Sequence, residues 1–123
     1  MVHYCWHCYG ANDAATGQCR HCGDPIEPPA GTTYADQLLW ALAHPLVERR
    51  MVAARVLGER RERRAIPELR ELALTQGDPY LAAAALHALV SIEGPQRLRE
   101  LLERLAAKGP PQVREAASAA LRR

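Results

Sequence analysis

Four cysteines near the amino terminus are the residues best suited to chemistry in this chain. They form two Cys-x-x-Cys pairs separated by ten residues, and no cysteine follows the second pair. A Cys-x-x-Cys turn directs two thiolates at one cation, and two such turns complete a tetrahedral shell of four sulfurs. The spacing therefore predicts one bound Zn²⁺ with four ligands: Cys5, Cys8, Cys19 and Cys22.

The same cysteines leave two other chemistries open. Iron of the rubredoxin kind also takes four sulfurs, and four cysteines can pair as two disulfides. No apolar run approaches the ~20 residues of a membrane span, and no apolar amino-terminal segment precedes a cleavage site. We therefore expect a cytoplasmic protein, in which paired cysteines bind metal more often than they form disulfides. A filled shell has no open position for a substrate, so the expected role of the metal is structural.

The stretch YCWHCYGANDAATGQCRHCGDPIEP resembles the short zinc-ribbon family. That family has an aromatic residue, Cys-x-x-Cys-Gly, a polar turn, and a second Cys-x-x-Cys-Gly followed by proline. Tyr4, Gly23 and Pro25 match the pattern, whereas Tyr9 stands at the first glycine position. The resemblance implies a small β-hairpin module over residues 1–26. Because so short a module has little core, we expect metal binding to fold it. Four thiolates already fill the shell, so we expect the intervening histidines, His7 and His21, to be exposed rather than ligands.

A proline-rich linker at residues 27–33 is expected to join this module to a helical region at residues 34–123. Thr33 and Asp36 have the spacing of a capping box, and Asp78 precedes a proline as a helix N-cap often does. Apolar residues then recur at helical spacing. They predict six helices, at about 34–43, 46–58, 66–75, 79–92, 95–107 and 111–122.

An internal repeat appears when the helical region is shifted by 32 residues. The shift aligns alanine with alanine and leucine with leucine at six positions. It predicts that all six lie in the interior: Ala53, Leu57, Ala85, Leu89, Ala117 and Leu121. The pattern predicts a short right-handed α-solenoid of antiparallel helix pairs. In this phase the second and third helices form one unit, the fourth and fifth form another, and the first and last helices are unpaired. Two aromatic residues of the first helix, Tyr34 and Trp40, are expected in the core.

Three segments of the helical region look like short HEAT-like repeats: RMVAARVLGERRERRAIPELRELA, DPYLAAAALHALVSI and PPQVREAASAAL. Repeats of this type occur in phycobilisome lyases and in many bacterial scaffold proteins. The resemblance covers about residues 44–123. It implies an extended helical surface that binds other proteins, and it does not by itself specify chemistry.

Catalytic patterns are not evident in the sequence. Neither GxxxxGK nor GxGxxG occurs, and Ser91 and Ser118 are isolated serines within predicted helices. We therefore expect a non-enzymatic protein–protein interaction or scaffold module, an accessory subunit or adaptor whose partner is a protein.

One basic segment is not dictated by the repeat. The turn GERRERRAIP carries four arginines whose counterparts 32 residues later are not basic, and these form a candidate interaction surface: Arg60, Arg61, Arg63 and Arg64. Residues 44–123 contain fifteen basic and ten acidic side chains. The alternative function is therefore nucleic-acid binding through this turn. Additional contacts would come from Arg49, Arg50 and Arg55, and from Trp6, Tyr9 and Arg20 of the zinc-ribbon module.

Overall fold

The computed structural model describes residues 2–14, 17–75 and 77–123. Over this part of the chain a two-stranded hairpin is followed by six α-helices, which confirms the predicted mainly helical class. The antiparallel hairpin pairs β1 (His3–Tyr4) with β2 (Ala11–Asn12). The helices are α1 (Tyr34–Ala41), α2 (Val47–Glu59), α3 (Ile66–Leu74), α4 (Pro79–Glu93), α5 (Arg99–Lys108) and α6 (Pro111–Leu121).

Side-chain caps define the starts of two helices, as the sequence predicted. At α1, the Thr33 hydroxyl accepts the Asp36 amide and the Asp36 carboxylate accepts the Thr33 amide, both at 3.1 Å. At α4, the Asp78 carboxylate accepts the amides of Tyr80 and Leu81 at 2.8 and 3.2 Å. Each cap provides an acceptor for amides that have no partner within the helix, which stabilises the helix start by about 1 kcal/mol.

The helices pack in pairs around one continuous core. Helix α4 lies between α2 and α6 and contacts both, while the main contacts of α1, α3 and α5 are with α2, α4 and α6 respectively. The predicted grouping of α2 with α3 and of α4 with α5 is therefore not the closest packing. Helices α5 and α6, which are joined only by Gly109–Pro110, form another closely packed pair.

Five of the six interior positions predicted by the repeat are buried, from Ala53 to Ala117, and Leu121 is half-buried at the end of α6. Small residues bring α2 and α4 close together. A Cβ atom added to Gly58 would lie only 2.8 Å from the Ala88 Cα atom. The small residues on these two faces thus allow the helices to pack closely.

Two further expectations about the helical region are wrong. Helix α5 begins at Arg99 rather than near residue 95, because Gly94 leaves α4 with φ of +84° and a turn follows, closed by the Leu98 amide on the Pro95 carbonyl. Tyr34 is 57% exposed rather than in the core. Trp40, expected in the core as well, is only half-buried.

The helices of the described residues are short or carry many charged side chains. None of them combines the length and the apolar character that crossing a bilayer requires.

Candidate metal centre

The four predicted cysteine ligands converge in one cluster. Their Sγ atoms all lie within 4.8 Å of one another, with 3.8 Å between Cys5 and Cys22 and 3.6 Å between Cys8 and Cys19. Sulfurs held about 2.3 Å from a tetrahedral Zn²⁺ are themselves about 3.8 Å apart. All four cysteines are free thiols rather than disulfides. Four thiols at this spacing could hold a metal ion.

Two loops of matching backbone present these sulfurs, and we call them the first and second knuckle, residues 5–10 and 19–24. In the first, the Tyr9 amide donates to the Cys5 carbonyl at 3.0 Å, and in the second the Gly23 amide donates to the Cys19 carbonyl at 2.9 Å. Both residues that close these turns have positive φ, 59° for Tyr9 and 82° for Gly23. Glycine adopts this conformation freely, whereas for tyrosine it costs about 1–3 kcal/mol.

Hydrogen bonds to the sulfurs and repulsion between them shift the pKa values of two thiols, Cys19 and Cys22. The Asn12 side chain and the His21 amide both donate to Cys19 Sγ at 3.4 Å, and Asn12 contributes most to lowering the pKa of Cys19 to about 6. The Asp24 amide lowers the pKa of Cys22, but desolvation and the neighbouring thiols outweigh it and raise that pKa to about 12. A divalent cation would offset this repulsion and allow all four sulfurs to ionise.

The histidines inside the knuckles are exposed, as the sequence suggested. His7 Nδ1 lies 2.6 Å from the Asp24 carboxylate, and His21 Nε2 lies 2.9 Å from the Ala11 carbonyl. The His7, Cys22 and Asp24 ligand atoms also lie within 4.8 Å of one another. This group shares Cys22 with the four-sulfur cluster, so it is part of the same centre.

Tyr9 attaches the first knuckle to the helices. Its hydroxyl donates to the Trp40 carbonyl near the end of α1, and its ring lies 5.1 Å from the His44 ring. Burial, with a smaller effect of the Glu68 carboxylate, raises the pKa of Tyr9 to about 12. Tyr9, which stands at a glycine position of the zinc-ribbon pattern, thus has a left-handed backbone conformation and contacts α1 through its side chain.

Other aromatic contacts extend this attachment. The Tyr4 and His44 rings meet edge to face at 4.7 Å, and the Trp6 and Trp40 rings are 5.1 Å apart. Trp6 also packs on a small cluster of Cys5, Cys19 and Ile26, while its indole N–H donates to the Pro25 carbonyl at 3.0 Å. Sequence reasoning identified Tyr9 as unusual, but it did not find His44, which is 4% exposed.

The arginine turn has partners within the chain. Arg64 bonds the carboxylates of Glu62 and Asp36, each at 3.0 Å, and so links the turn to the cap of α1. The Arg60 guanidinium lies over the Tyr34 ring, 5.4 Å from its centre. These two arginines are therefore exposed but already engaged.

The other two arginines, Arg61 and Arg63, are exposed and make no ion pair among the described residues. Arg61 has φ of +53° where the turn leaves α2. In the cysteine module, Arg20 donates to the Ala11 carbonyl at 3.0 Å, and Trp6 lies against Trp40. Much of the predicted nucleic-acid surface thus has a role within the chain.

The helical region matches a known family. A family model described as HEAT repeats matches residues 35–122, which include most of α1 and all of α2–α6. The cysteine module lies outside the matched range. No curated protein matches the chain, and no solved structure matches it.

Proposed function

The chain belongs to the HEAT-repeat family, and we propose on that basis that it is a non-enzymatic protein–protein interaction module, an accessory subunit or adaptor. HEAT repeats generally mediate protein–protein interactions. Stacked repeats of this kind offer extended surfaces that bind other proteins. The family match is the observation that carries the proposal.

A groove between α2 and α4 supports this proposal and gives it a location. Its volume is about 420 Å³, and Val52 at its wall is 49% exposed. Gly58 and Ala88 form its floor, where the two helices approach most closely. A partner side chain placed here would bury apolar surface, at about 25 cal/mol per Å² removed from water.

The cysteine module has a structural role in this proposal. One Zn²⁺ bound by Cys5, Cys8, Cys19 and Cys22 folds the hairpin, and Tyr9 fixes the folded hairpin on α1. Four thiolates fill the tetrahedral shell, so the metal contributes stability rather than a reactive position. The resulting molecule presents the helical surface and the hairpin as one unit.

A pull-down at high salt tests the proposed partner class. The 123-residue chain serves as bait in an extract of its native cell at about 0.5 M salt, where charge contacts are screened over a few ångströms. We expect a discrete protein to be retained, because buried apolar area is not screened. Val52→Asp should abolish its recovery, whereas the control variant Leu74→Asp, which alters an apolar residue of α3 that is 41% exposed, should not.

The opposite outcome would favour the nucleic-acid alternative. If only nucleic acid is recovered, and only at low salt, the proposal is wrong. Changing the four arginines of the turn to alanine would then abolish recovery. Because Arg60 and Arg64 already have partners within the chain, two arginines of the turn remain for phosphate contacts. The expected slope of log affinity against log salt concentration is then roughly −1.8 on duplex DNA.

A further inference from the structure

A second groove lies at the edge of the helical region, where the ends of α3 and α5 meet the starts of α4 and α6. Its volume is about 380 Å³, and it shares no lining residue with the α2–α4 groove or with the cysteine module. Apolar side chains and two cations form much of its wall: Leu74, Ala82, Arg104, Leu105, Lys108 and Val113. We call it the lysine groove, after Lys108, the single lysine of the chain.

The apolar part of the lysine groove includes one large exposed side chain. Leu74, at the end of α3, is 41% exposed, and an apolar side chain packed against it would remove that surface from water at about 25 cal/mol per Å². Small-molecule sites add polar groups that converge on the ligand. Among the described lining residues, Thr75 and the two cations supply the polar side chains, and all three are exposed. The groove therefore suits a side chain of a peptide segment rather than a cofactor.

The two cations of the groove lie on one face of α5. Arg104 and Lys108 are four residues apart, which places them about 6 Å apart along the helix. Both are exposed, and neither forms an ion pair within the part of the chain that the structure describes. Their counterparts 32 residues earlier are Leu72 and Gln76, so the repeat does not require a positive charge at either position. Lys108 also complements the negative end of the helix dipole, whereas Arg104 precedes the last turn and has no such role.

Acidic side chains near the groove lie outside it. None of the described lining residues is acidic. Asp78 accepts two backbone amides at the start of α4, and Glu103 pairs with Arg99 at 3.1 Å. Glu100, one turn before Arg104, does not line the groove. The groove thus combines an apolar wall with positive charge, which complements an acidic segment that carries an apolar side chain.

We infer that the lysine groove binds an acidic segment of a protein partner. An apolar side chain of the segment packs against Leu74, and two of its carboxylates pair with Arg104 and Lys108. This contact is additional to the α2–α4 groove, and it rests on the proposed function only in requiring a protein as the partner. Exposed charge pairs contribute much of its affinity, so the contact weakens as salt screens them. The high-salt pull-down therefore does not depend on it, and Leu74→Asp has no effect there.

Lys108 allows a direct test, because the chain has no second lysine side chain. Reductive methylation with ¹³C-formaldehyde labels the Lys108 amine and the terminal amine of the metal-loaded 123-residue chain, and it keeps both amines basic. Lys108→Arg lacks the lysine signal and so assigns it. The probe is a synthetic peptide of about ten residues in which leucines are separated by pairs of glutamates. We expect a saturable shift of the Lys108 signal at low ionic strength.

Two matched peptides separate the charged contribution from the apolar one. A peptide with glutamine in place of glutamate keeps the leucines and should give no saturable shift. A peptide with serine in place of leucine keeps the charge and should bind about tenfold more weakly or less, because it has no apolar side chain to bury against Leu74.

Four variants assign the binding to the groove, with anisotropy of a dye-labelled peptide as the measurement on unmethylated protein. Arg104→Gln and Lys108→Gln should each weaken the peptide about two- to fivefold, as the loss of an exposed ion pair does, and together about tenfold. Lys108→Arg keeps the charge and should bind like the parent. Arg97→Gln, which removes an exposed arginine before α5 and outside the groove, should leave the affinity unchanged.

Several results would overturn the inference. These are an unshifted Lys108 signal, parent-like affinity in the double glutamine variant, or equal binding of the peptide that has serine in place of leucine. Tighter binding of an oligothymidylate of the same charge would make the groove a nucleic-acid site. A Lys108 signal that shifts when the chain alone is concentrated would make it a contact between copies.

The pull-down separates this inference from the proposed function. Near 0.1 M salt, where screening is weaker, the double glutamine variant should retain less of the partner than the parent does. A partner that is lost with Val52→Asp but kept in full by the double glutamine variant leaves the proposed function standing and removes the lysine groove from it.

Discussion

The cysteine module and the helical region reach stability by different means. In the described part of the chain, the buried cluster of the module consists of Cys5, Cys19 and Ile26, whereas the helical cluster runs from Leu38 to Ala120. Three buried residues cannot offset the entropy of ordering a hairpin, but a continuous core of leucine and alanine can offset that of six helices. The module therefore depends on its ligands, and the helices depend on their periodic pattern.

Metal removal should produce the largest effect and should separate the two regions. Structural zinc sites contribute roughly 10–16 kcal/mol to folding of the segment that binds them. We expect a chelator, or Cys22→Ser, to unfold residues 2–26 and leave most of the far-ultraviolet helical signal. Elemental analysis of the parent should find one zinc per chain. An ordered hairpin in the metal-free protein would contradict this dependence.

Ala85→Asp should have the reverse effect. Ala85 is fully buried where α4 meets its neighbours, so the variant buries an unpaired carboxylate at a cost of several kcal/mol. We expect the helices to melt at much lower temperature, while the zinc-bound hairpin stays assembled. Ala107→Asp, at an exposed position of α5, is the matched control and should melt like the parent. Equal melting of both variants would show that the 32-residue register is wrong.

Within each of the two regions, the sequence predicted much of the structure. Cysteine spacing, the Thr33 capping box and the Asp78 cap act over a few residues, and the repeat imposes burial at Ala53 and its counterparts. Such local and periodic signals identified the sulfur cluster, two helix starts and five of the six interior positions.

The junction between the regions was not predictable, because its contacts join distant parts of the chain. The Tyr9 ring contacts the His44 ring across 35 residues of sequence, and the Tyr9 hydroxyl contacts the Trp40 carbonyl across 31. No periodic pattern marks such pairs. The one available signal was a tyrosine at a glycine position, which is costly unless its side chain gains contacts elsewhere.

Gly58→Ala should have a moderate effect and should show how tightly the helical region is packed. Alanine favours a helix by about 1 kcal/mol over glycine, yet its methyl group would meet the Ala88 backbone at 2.8 Å. We expect a net loss of about 1–3 kcal/mol in the free energy of unfolding, as for other overpacked cores. Gly77→Ala is the control, since its added methyl group would meet only the Thr75 methyl at 3.7 Å. Denaturant unfolding at constant metal measures both, and a stabilised Gly58→Ala would contradict the close approach.

The smallest expected effect concerns Tyr9, the residue that joins the two regions. Its pKa is raised to about 12 when it is docked against α1, against about 10 for an ordinary tyrosine. Below pH 10 the phenol is protonated in both states, and the docking contribution is complete. Between pH 10 and 12 the released phenol ionises while the docked one does not, so docking should weaken as pH rises. Fluorescence of Trp6 and Trp40 should report this change, and Tyr9→Phe should lose the pH dependence while keeping the ring contact with His44. A parent protein whose fluorescence is constant from pH 9 to 12 would show that Tyr9 does not hold the hairpin on the helices.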